Sequence, residues 1–406
     1  MTKKDIILSA FLATTAALVG AIACGEYPVA SLNRNPVGAG GSPSSGAGGS
    51  PSSGTGGESD PGSSGGSSTE LPPNTATLPC KVLGDAGHEC VSAHSTVRVI
   101  VPGYDGPLYQ VQSDAGVLDI GSVDGYANAA AQDEFCTKSC VISIIYDQSG
   151  YGNHLTPAPR GSAKATPGLP VPADWLPVTI NGRSVYGILI KPRYGYRAAC
   201  NDCPYPDPST IPSGVPVGDE PQTQYMISSQ HDLLHGCCFD YGNAEITANN
   251  DGNGTMEAVY LGQGVIWGNG VGSGPWVMAD MENGLFPGWE NGSFKNISTN
   301  TPVNFDFVSA VVVGDTADKN DGKGRFAVYG GDANATTIKE MYDGIRPERP
   351  GYVPMQKQGS VILGIGGDNS NAAGGRFYEG VIALGAAEPE VVNALQVAIS
   401  EAKYGQ

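Results

Sequence analysis

Beyond residue 95 the apolar residues arrive in short β-branched runs bounded by turn residues, and this spacing limits the possible folds more than any other feature. TVRVIV (96–101), SCVISIIYD (139–147), FVSAVVVG (307–314), SVILGIGG (360–367) and RFYEGVIALG (376–385) have the length of strands and lack a helical repeat. PVTINGRSVYGILI (177–190) sets Asn181-Gly182 between two apolar stretches, the cue for a hairpin whose two turn residues take positive φ. The 59 glycines and 30 prolines, against 15% charged residues, suit a turn-rich β protein and not a helical bundle. The one helix expected is the last element: Pro389 stands near its start, and Val392, Leu395, Ile399 and Ala402 recur at helical spacing. These signals predict an all-β sandwich closed by a C-terminal helix on its outside.

The 406 residues divide by composition. Residues 1–23 read as a signal peptide, with Lys3 and Lys4 before an uncharged stretch and Ala21-Ile22-Ala23 just before Cys24. This segment resembles a bacterial lipoprotein signal, so Cys24 is expected to be acylated and to anchor the protein to a membrane, extracellular or at the cell surface; ordinary cleavage and a retained membrane anchor are the alternatives. Residues 24–77 are predicted to be a flexible tether, because 36–68 is nearly all Gly, Ser, Pro, Ala and Thr, with GAGGSPSS repeated at 38–45 and 46–53. Residues 78–406 carry no second linker and are expected to form a single domain, a monomer. The net charge of −18, with no Lys/Arg run, argues against nucleic acid as a partner.

The eight cysteines after Cys24 fall in four close pairs, Cys80 with Cys90, Cys136 with Cys140, Cys200 with Cys203, and Cys237 with Cys238, as expected in an oxidising compartment. The adjacent pair in HGCCFDYGN is the most unusual. Joined, it closes an eight-membered ring and presents two sulfurs as a flat, polarisable, apolar surface; otherwise each cysteine pairs elsewhere or binds metal. His231 and His235, four apart in HDLLH, raise a zinc site with these cysteines as an alternative, although the Glu of an HExxH motif is missing. His94 and His154 lie near strand ends and read as structural.

Carboxylates are the better candidates for chemistry, since an acidic, exported β protein without a nucleophile elbow most often acts on carbohydrate. Glycoside cleavage needs two of them. In GPWVMADMENGLF (274–286) Asp280 and Glu282 alternate with Ala279 and Met281, which on a strand puts both carboxylates on one side, where repulsion splits their pKa values. Asp368, in GIGGDNSN (364–371), follows a glycine-flanked turn at the end of an apolar strand.

Several of these segments, in the same order, resemble the catalytic domain of glycoside hydrolase family 54, the α-L-arabinofuranosidase B family. The matching stretches are IIYDQSGYGNHLT (144–156), VTINGRSVYG (178–187), HGCCFDYGNAE (235–245), GTMEAVYLG (254–262), IWGNGVGSGPWVMADMEN (266–283) and VILGIGGDNSN (361–371). The resemblance implies a concanavalin-like (jelly-roll) β-sandwich, a retaining mechanism and release of terminal L-arabinofuranose from arabinan or arabinoxylan side chains. It makes Glu282 the nucleophile and Asp368 the general acid/base, with Asp280 and Asn283 among the sugar contacts. It makes a Cys237–Cys238 disulfide the floor of the sugar subsite, with Trp267, Met256 and the backbone of Gly367 around it. Cys80–Cys90 and Cys136–Cys140 match the family's other bridges, and Cys200 with Cys203 looks like an additional local bridge.

Two departures change what is expected. Gly284 replaces a second Asn of the fungal pattern, so one sugar contact is lost or taken over by backbone. Fungal members also continue into an arabinose-binding module, for which nothing up to Gln406 is a counterpart, and localisation is expected to fall to the tether. The partner expected is an arabinose-containing plant cell-wall polysaccharide or oligosaccharide, with no metal or cofactor. A non-catalytic carbohydrate-binding sandwich and a glycosidase for another furanose are the alternatives.

Overall fold

The FVSAVVVG run becomes one of two central strands, Val308–Gly314, in a six-stranded antiparallel sheet. In spatial order that sheet runs Cys90–Ser95, Glu379–Leu384, Gln222–Ser228, Val308–Gly314, Phe326–Asp332, Lys339–Gly344. A second sheet of seven antiparallel strands runs Leu285–Phe286, Trp276–Asp280, Glu257–Gly262, Asp240–Ala244, Ser360–Leu363, Tyr196–Arg197, Thr156–Pro157. The computed structural model describes residues 76–406 except 165, 199–213, 235 and 265. The signal, the tether up to residue 75, Cys24, Cys200, Cys203 and His235 lie outside the described residues.

The two sheets face each other, and the period-2 rule decides which side chains lie between them. Val259 and Leu261 of one strand and Val277 and Ala279 of its neighbour point into the shared core with Ala310, Val312 and Val328. Each Val or Leu buried there contributes roughly 1.5–3 kcal/mol from apolar area alone. The alternate residues Tyr260, Trp276 and Met278 lie on the opposite face, where Cys238 and Leu285 cover them. Asp280 is on that same face, two residues beyond Met278. The sheet is therefore buried on both sides, which explains why WVMAD reads as continuously apolar up to its carboxylate.

Asn181 (φ 46°) and Gly182 (φ 78°) make the expected hairpin between Pro177–Ile180 and Arg183–Tyr186. The last helix, Pro389–Ser400, buries Val392, Leu395 and Ile399. Three expectations need correction. TVRVIV is not a strand: the strand is Cys90–Ser95, after which Ser95 Oγ accepts the N–H groups of Val97 and Arg98 and turns the chain. RFYEGVIALG splits into Gly375–Phe377, paired with Ile188–Ile190, and Glu379–Leu384 in the six-stranded sheet. Two further helices of 7 residues each, Pro79–Asp85 and Ala129–Phe135, are too short to show a helical repeat; the second is capped by Asn128, which accepts from the Ala131 N–H.

Cys80–Cys90 and Cys136–Cys140 are disulfide-bonded, as the family pattern implies, and Cys237 is joined to Cys238. The fourth expected bridge, between Cys200 and Cys203, is not among the disulfides of the described residues: Cys203 and its expected partner Cys200 both fall in the stretch 199–213, outside them. The pairing of Cys200 with Cys203 therefore stays an expectation from their spacing. Arg98 and Glu379, both 0% exposed, pair through two hydrogen bonds of 2.7 Å, and Tyr225 Oη donates to the same carboxylate. Arg98→Met leaves Glu379 as an uncompensated buried charge. It is expected to cost about 3–5 kcal/mol of unfolding free energy, measured by urea denaturation.

Candidate active site

One row of residues crosses the seven-stranded sheet and sets out the site. Cross-strand pairing runs Leu285, Asp280, Ala258, Gly242, Ile362, Arg197 in register, so Asp280 and Arg197 stand at opposite ends of a row with only small or aliphatic residues between. Cys237 and Cys238 precede the Asp240–Ala244 strand and are joined to each other. Their two sulfurs and an Asp280 carboxylate oxygen all lie within 4.8 Å of one another. Cys237 Sγ is 3.4 Å from Ser370 Oγ, which ties the disulfide to the loop that carries Asp368.

Glu282 is not placed by strand alternation, a correction to the sequence reading. The strand ends at Asp280, and Glu282 (φ 63°) and Asn283 (φ 55°) form a left-handed turn into Leu285–Phe286. Asp280 Oδ1 accepts the Glu282 N–H at 3.1 Å, and the Glu282 carbonyl accepts from Tyr352 Oη at 2.7 Å. Asp368 sits on the facing loop, where its Oδ1 accepts both the N–H (2.9 Å) and the hydroxyl (2.8 Å) of Ser370. The guanidinium of Arg197 fixes that loop, donating to the carbonyls of Gly367 and Glu245 and, at 3.1 Å, to Asn369 Oδ1.

Five carboxyl groups, those of Asp240, Glu245, Asp280, Glu282 and Asp368, thus share one region with Arg197. Burial, then the charges of Glu245, Asp280 and Asp368, push Glu282 up to about 10, so that one proton stays on the Glu282/Glu245 pair well above neutral pH. Burial is the main cause that raises Asp280 to about 7, and it raises Glu245 as well. Asp240 is pushed well above the carboxylate range by complete burial and by Asp280. Neither Asp240 oxygen has an N–H or O–H donor, whereas its carboxyl lies in hydrogen-bonding contact with Asp280. That contact is a hydrogen bond only if one of the two acids carries a proton. Burial also lowers Arg197, to about 10, outweighing the charges of Glu245, Asp368 and Glu282, which act in the opposite direction.

A carboxyl whose pKa is higher in the fold than in the unfolded chain draws protons into the folded state. Its stabilisation is complete below about pH 4 and is lost as the pH rises through the folded value. With Asp280 near 7 and the one proton of the Glu282/Glu245 pair held up to about 10, the melting temperature is expected to fall steadily from about pH 5 to about pH 9. Asp240→Asn supplies a permanent neutral donor to Asp280, and in a differential scanning series it is expected to flatten that decline.

The expected sugar contacts are not all alike. Met256 is fully buried, and a Cβ on Gly367 would run into Glu245 Oε2 and come within 2.9 Å of Met256 Sδ, so any side chain there would have to displace both. Trp267 is 43% exposed at the rim, its carbonyl accepting from the Leu285 N–H beside the disulfide. Asn283 is exposed and engaged with Asn250 and Asn253 on the outer side of the turn. A Cβ on Gly284 would meet the Phe286 ring at 2.6 Å, which excludes the Asn of the fungal pattern unless that ring shifts.

The disulfide leaves no thiolate at Cys237 or Cys238 for the zinc alternative, and His231 Nε2 pairs with Asp306 at 2.7 Å. His94 is buried between Tyr241 and the Asn153 carbonyl, and burial lowers it to about 4. Asp240, Glu245, Thr255 and Arg197 were not singled out from the sequence. The available signal was ionisable residues inside or just beyond otherwise apolar strands, as in FDYGNAE and GYRA.

The profile of the family described as "Alpha-L-arabinofuranosidase B, catalytic" matches residues 79–405. The chain is 45% identical over 335 residues to "Probable alpha-L-arabinofuranosidase B" of Aspergillus fumigatus, covering 80% of this chain and 62% of that protein. It is 42% identical over 334 residues to "Alpha-L-arabinofuranosidase" of Hypocrea jecorina, covering 80% and 63%. The chain thus spans less than two thirds of the length of these curated relatives. Its fold superposes with a TM-score of 0.73 on a crystal structure of arabinofuranosidase complexed with arabinofuranosyl-alpha-1,2-xylobiose, at 40% identity over 81% of this chain and 66% of that one. A glycoside hydrolase family 54 α-L-arabinofuranosidase soaked with a cyclic sulfate inhibitor gives 0.72 at 40% identity, covering 80% and 66%. By the profile match and by these identities, the chain belongs to the α-L-arabinofuranosidase B catalytic family, glycoside hydrolase family 54.

Proposed function

We propose that the chain is a retaining, exo-acting α-L-arabinofuranosidase that removes terminal L-arabinofuranose from arabinan or arabinoxylan side chains. The observation that carries this is the convergence of Glu282, Asp368 and Asp280 beside a pair of linked sulfurs. The sugar rests its apolar face on the disulfide while Asp280 accepts from its hydroxyls. A Glu282 carboxylate oxygen attacks the anomeric carbon; the bond to the leaving oxygen breaks, and that oxygen takes the Asp368 proton. Water then attacks the anomeric carbon of the glycosyl ester, giving a proton to Asp368 and returning Glu282 as carboxylate. The arabinofuranosyl-xylobiose bound by the related structure supports this substrate class.

The apolar run after Lys3 and Lys4 and the Ala-Ile-Ala before Cys24 support action outside the cytoplasm, with acylated Cys24 as the anchor. Stereochemistry tests the mechanism. With 4-nitrophenyl α-L-arabinofuranoside in aqueous methanol, proton NMR is expected to show methyl α-L-arabinofuranoside as the first transfer product. A β-configured product, or no turnover by the folded protein, overturns the proposal.

A further inference from the structure

Glu245 lies beside the proposed nucleophile and against Gly367, the residue before Asp368, and has no part in the mechanism above. Its side chain is fully buried just after the Asp240–Ala244 strand; Oε2, with no N–H or O–H donor, lies against Gly367, and the carboxyl is in hydrogen-bonding contact with that of Glu282. Oε1 is 2.6 Å from Thr255 Oγ1, and that hydroxyl is also 2.7 Å from the Gly252 carbonyl. Thr255 has one hydroxyl proton and faces two acceptors. Both contacts become hydrogen bonds only if Glu245 carries a proton on Oε1 and gives it to Thr255, whose own proton then goes to Gly252.

We propose that Glu245 is a positioning residue for the nucleophile: held neutral through Thr255, it lets the single negative charge of the Glu245/Glu282 pair reside on Glu282. The inference rests on Glu282 as nucleophile, as assigned above. Arg197 faces the pair from the Tyr196–Arg197 strand, Asp280 from the sheet and Asp368 from the Gly367 loop. With three further acids in the region, counting Asp240, and one cation, two adjacent ionised glutamates are disfavoured. One shared proton removes the repulsion. Its place on Glu245 rather than Glu282 is what makes Glu282 able to attack, and that place depends on a hydroxyl remote from the sugar.

Two variants test this through the pH profile of kcat/KM on 4-nitrophenyl α-L-arabinofuranoside. Thr255→Val removes the acceptor for the Glu245 proton, which then favours Glu282. The acidic limb, where Glu282 must be ionised, is expected to move up by about one pH unit. Glu245→Gln keeps a neutral donor toward Thr255 and is expected to retain at least a tenth of wild-type kcat/KM with the limb unmoved, while Glu245→Ala loses about a hundredfold. An unmoved limb in Thr255→Val overturns the inference, as does a Glu245→Gln variant as impaired as Glu245→Ala. Either result decides alone if the other variant fails to fold. Glu282→Ala, assayed alongside, separates the two claims: if it stays active the nucleophile assignment fails, and if it is inactive a failure elsewhere belongs to Glu245 alone.

Discussion

Glu282→Ala is expected to lower kcat on 4-nitrophenyl α-L-arabinofuranoside by on the order of 10⁴-fold or more, as loss of a nucleophile does elsewhere. Nothing nearby can replace it. Asp280 is turned to the Glu282 N–H and the disulfide, and Glu245 is tied to Thr255. Removing one acid from a crowded buried group relieves repulsion, so the melting temperature at neutral pH is expected to hold or rise; lost activity then cannot be ascribed to unfolding. The space vacated by the carboxylate admits a small anion. Azide is expected to restore turnover and yield the β-configured azide, a single inversion in place of two. Failure of azide to rescue, together with a lowered melting temperature, would indicate a structural role.

Asp368→Ala is expected to produce a loss that depends on the leaving group. On arabinofuranosyl-xylobiose the departing sugar alkoxide needs a proton, and removal of a general acid costs about 10²–10⁴-fold. On 4-nitrophenyl arabinofuranoside the departing phenolate is stable without one, so the first step suffers far less and hydrolysis of the glycosyl-enzyme becomes limiting. KM on that substrate is expected to fall, with a burst of nitrophenolate in stopped flow. Azide here accelerates the second step and gives the α-configured azide. Equal losses on both substrates would remove Asp368 from the acid role. The loop supports a direct one: Ser370 holds one oxygen of Asp368 by two hydrogen bonds, while Arg197 grips the residues on either side.

Much of this was legible from sequence because it depends on local pattern. The short apolar runs WVMAD and VSAVVV, the positive-φ pair Asn181-Gly182 and the apolar repeat of Pro389–Ser400 each encode their element within a few residues. The misses have a common cause. TVRVIV has the residues of a strand, but Ser95 Oγ takes two of its N–H groups and Arg98 must reach Glu379, a residue 281 positions away. Glu282 follows Asp280 at strand spacing, yet the chain reverses there so that Leu285 and Phe286 can pair back with Asp280 and Ala279. Glu245 and Arg197 escaped notice because a charged residue at a strand end is usually solvated. What makes Arg197 different is the row that joins it to Asp280 across five strands, and register is a property of the assembled sheet.

The same argument explains why the vicinal cysteines could be noticed without their role being fixed. Adjacency alone leaves pairing elsewhere or metal binding open. Only the fold brings the joined sulfurs to Asp280 on one side and to Ser370, two residues from Asp368, on the other. The disulfide thus spans the two halves of the site, the sheet that carries Asp280 and the loop that carries the acid.

Covalent labelling offers the most direct measurement of the central claim. An α-L-arabinofuranose-configured cyclic sulfate, opened by the attacking carboxylate, leaves a stable sugar ester on whichever residue is the nucleophile. After digestion and tandem mass spectrometry the added mass is predicted on Glu282 alone, and prior arabinose is predicted to slow its appearance. A label on Asp280, Glu245 or Asp368, or none on a folded and active enzyme, would contradict the account.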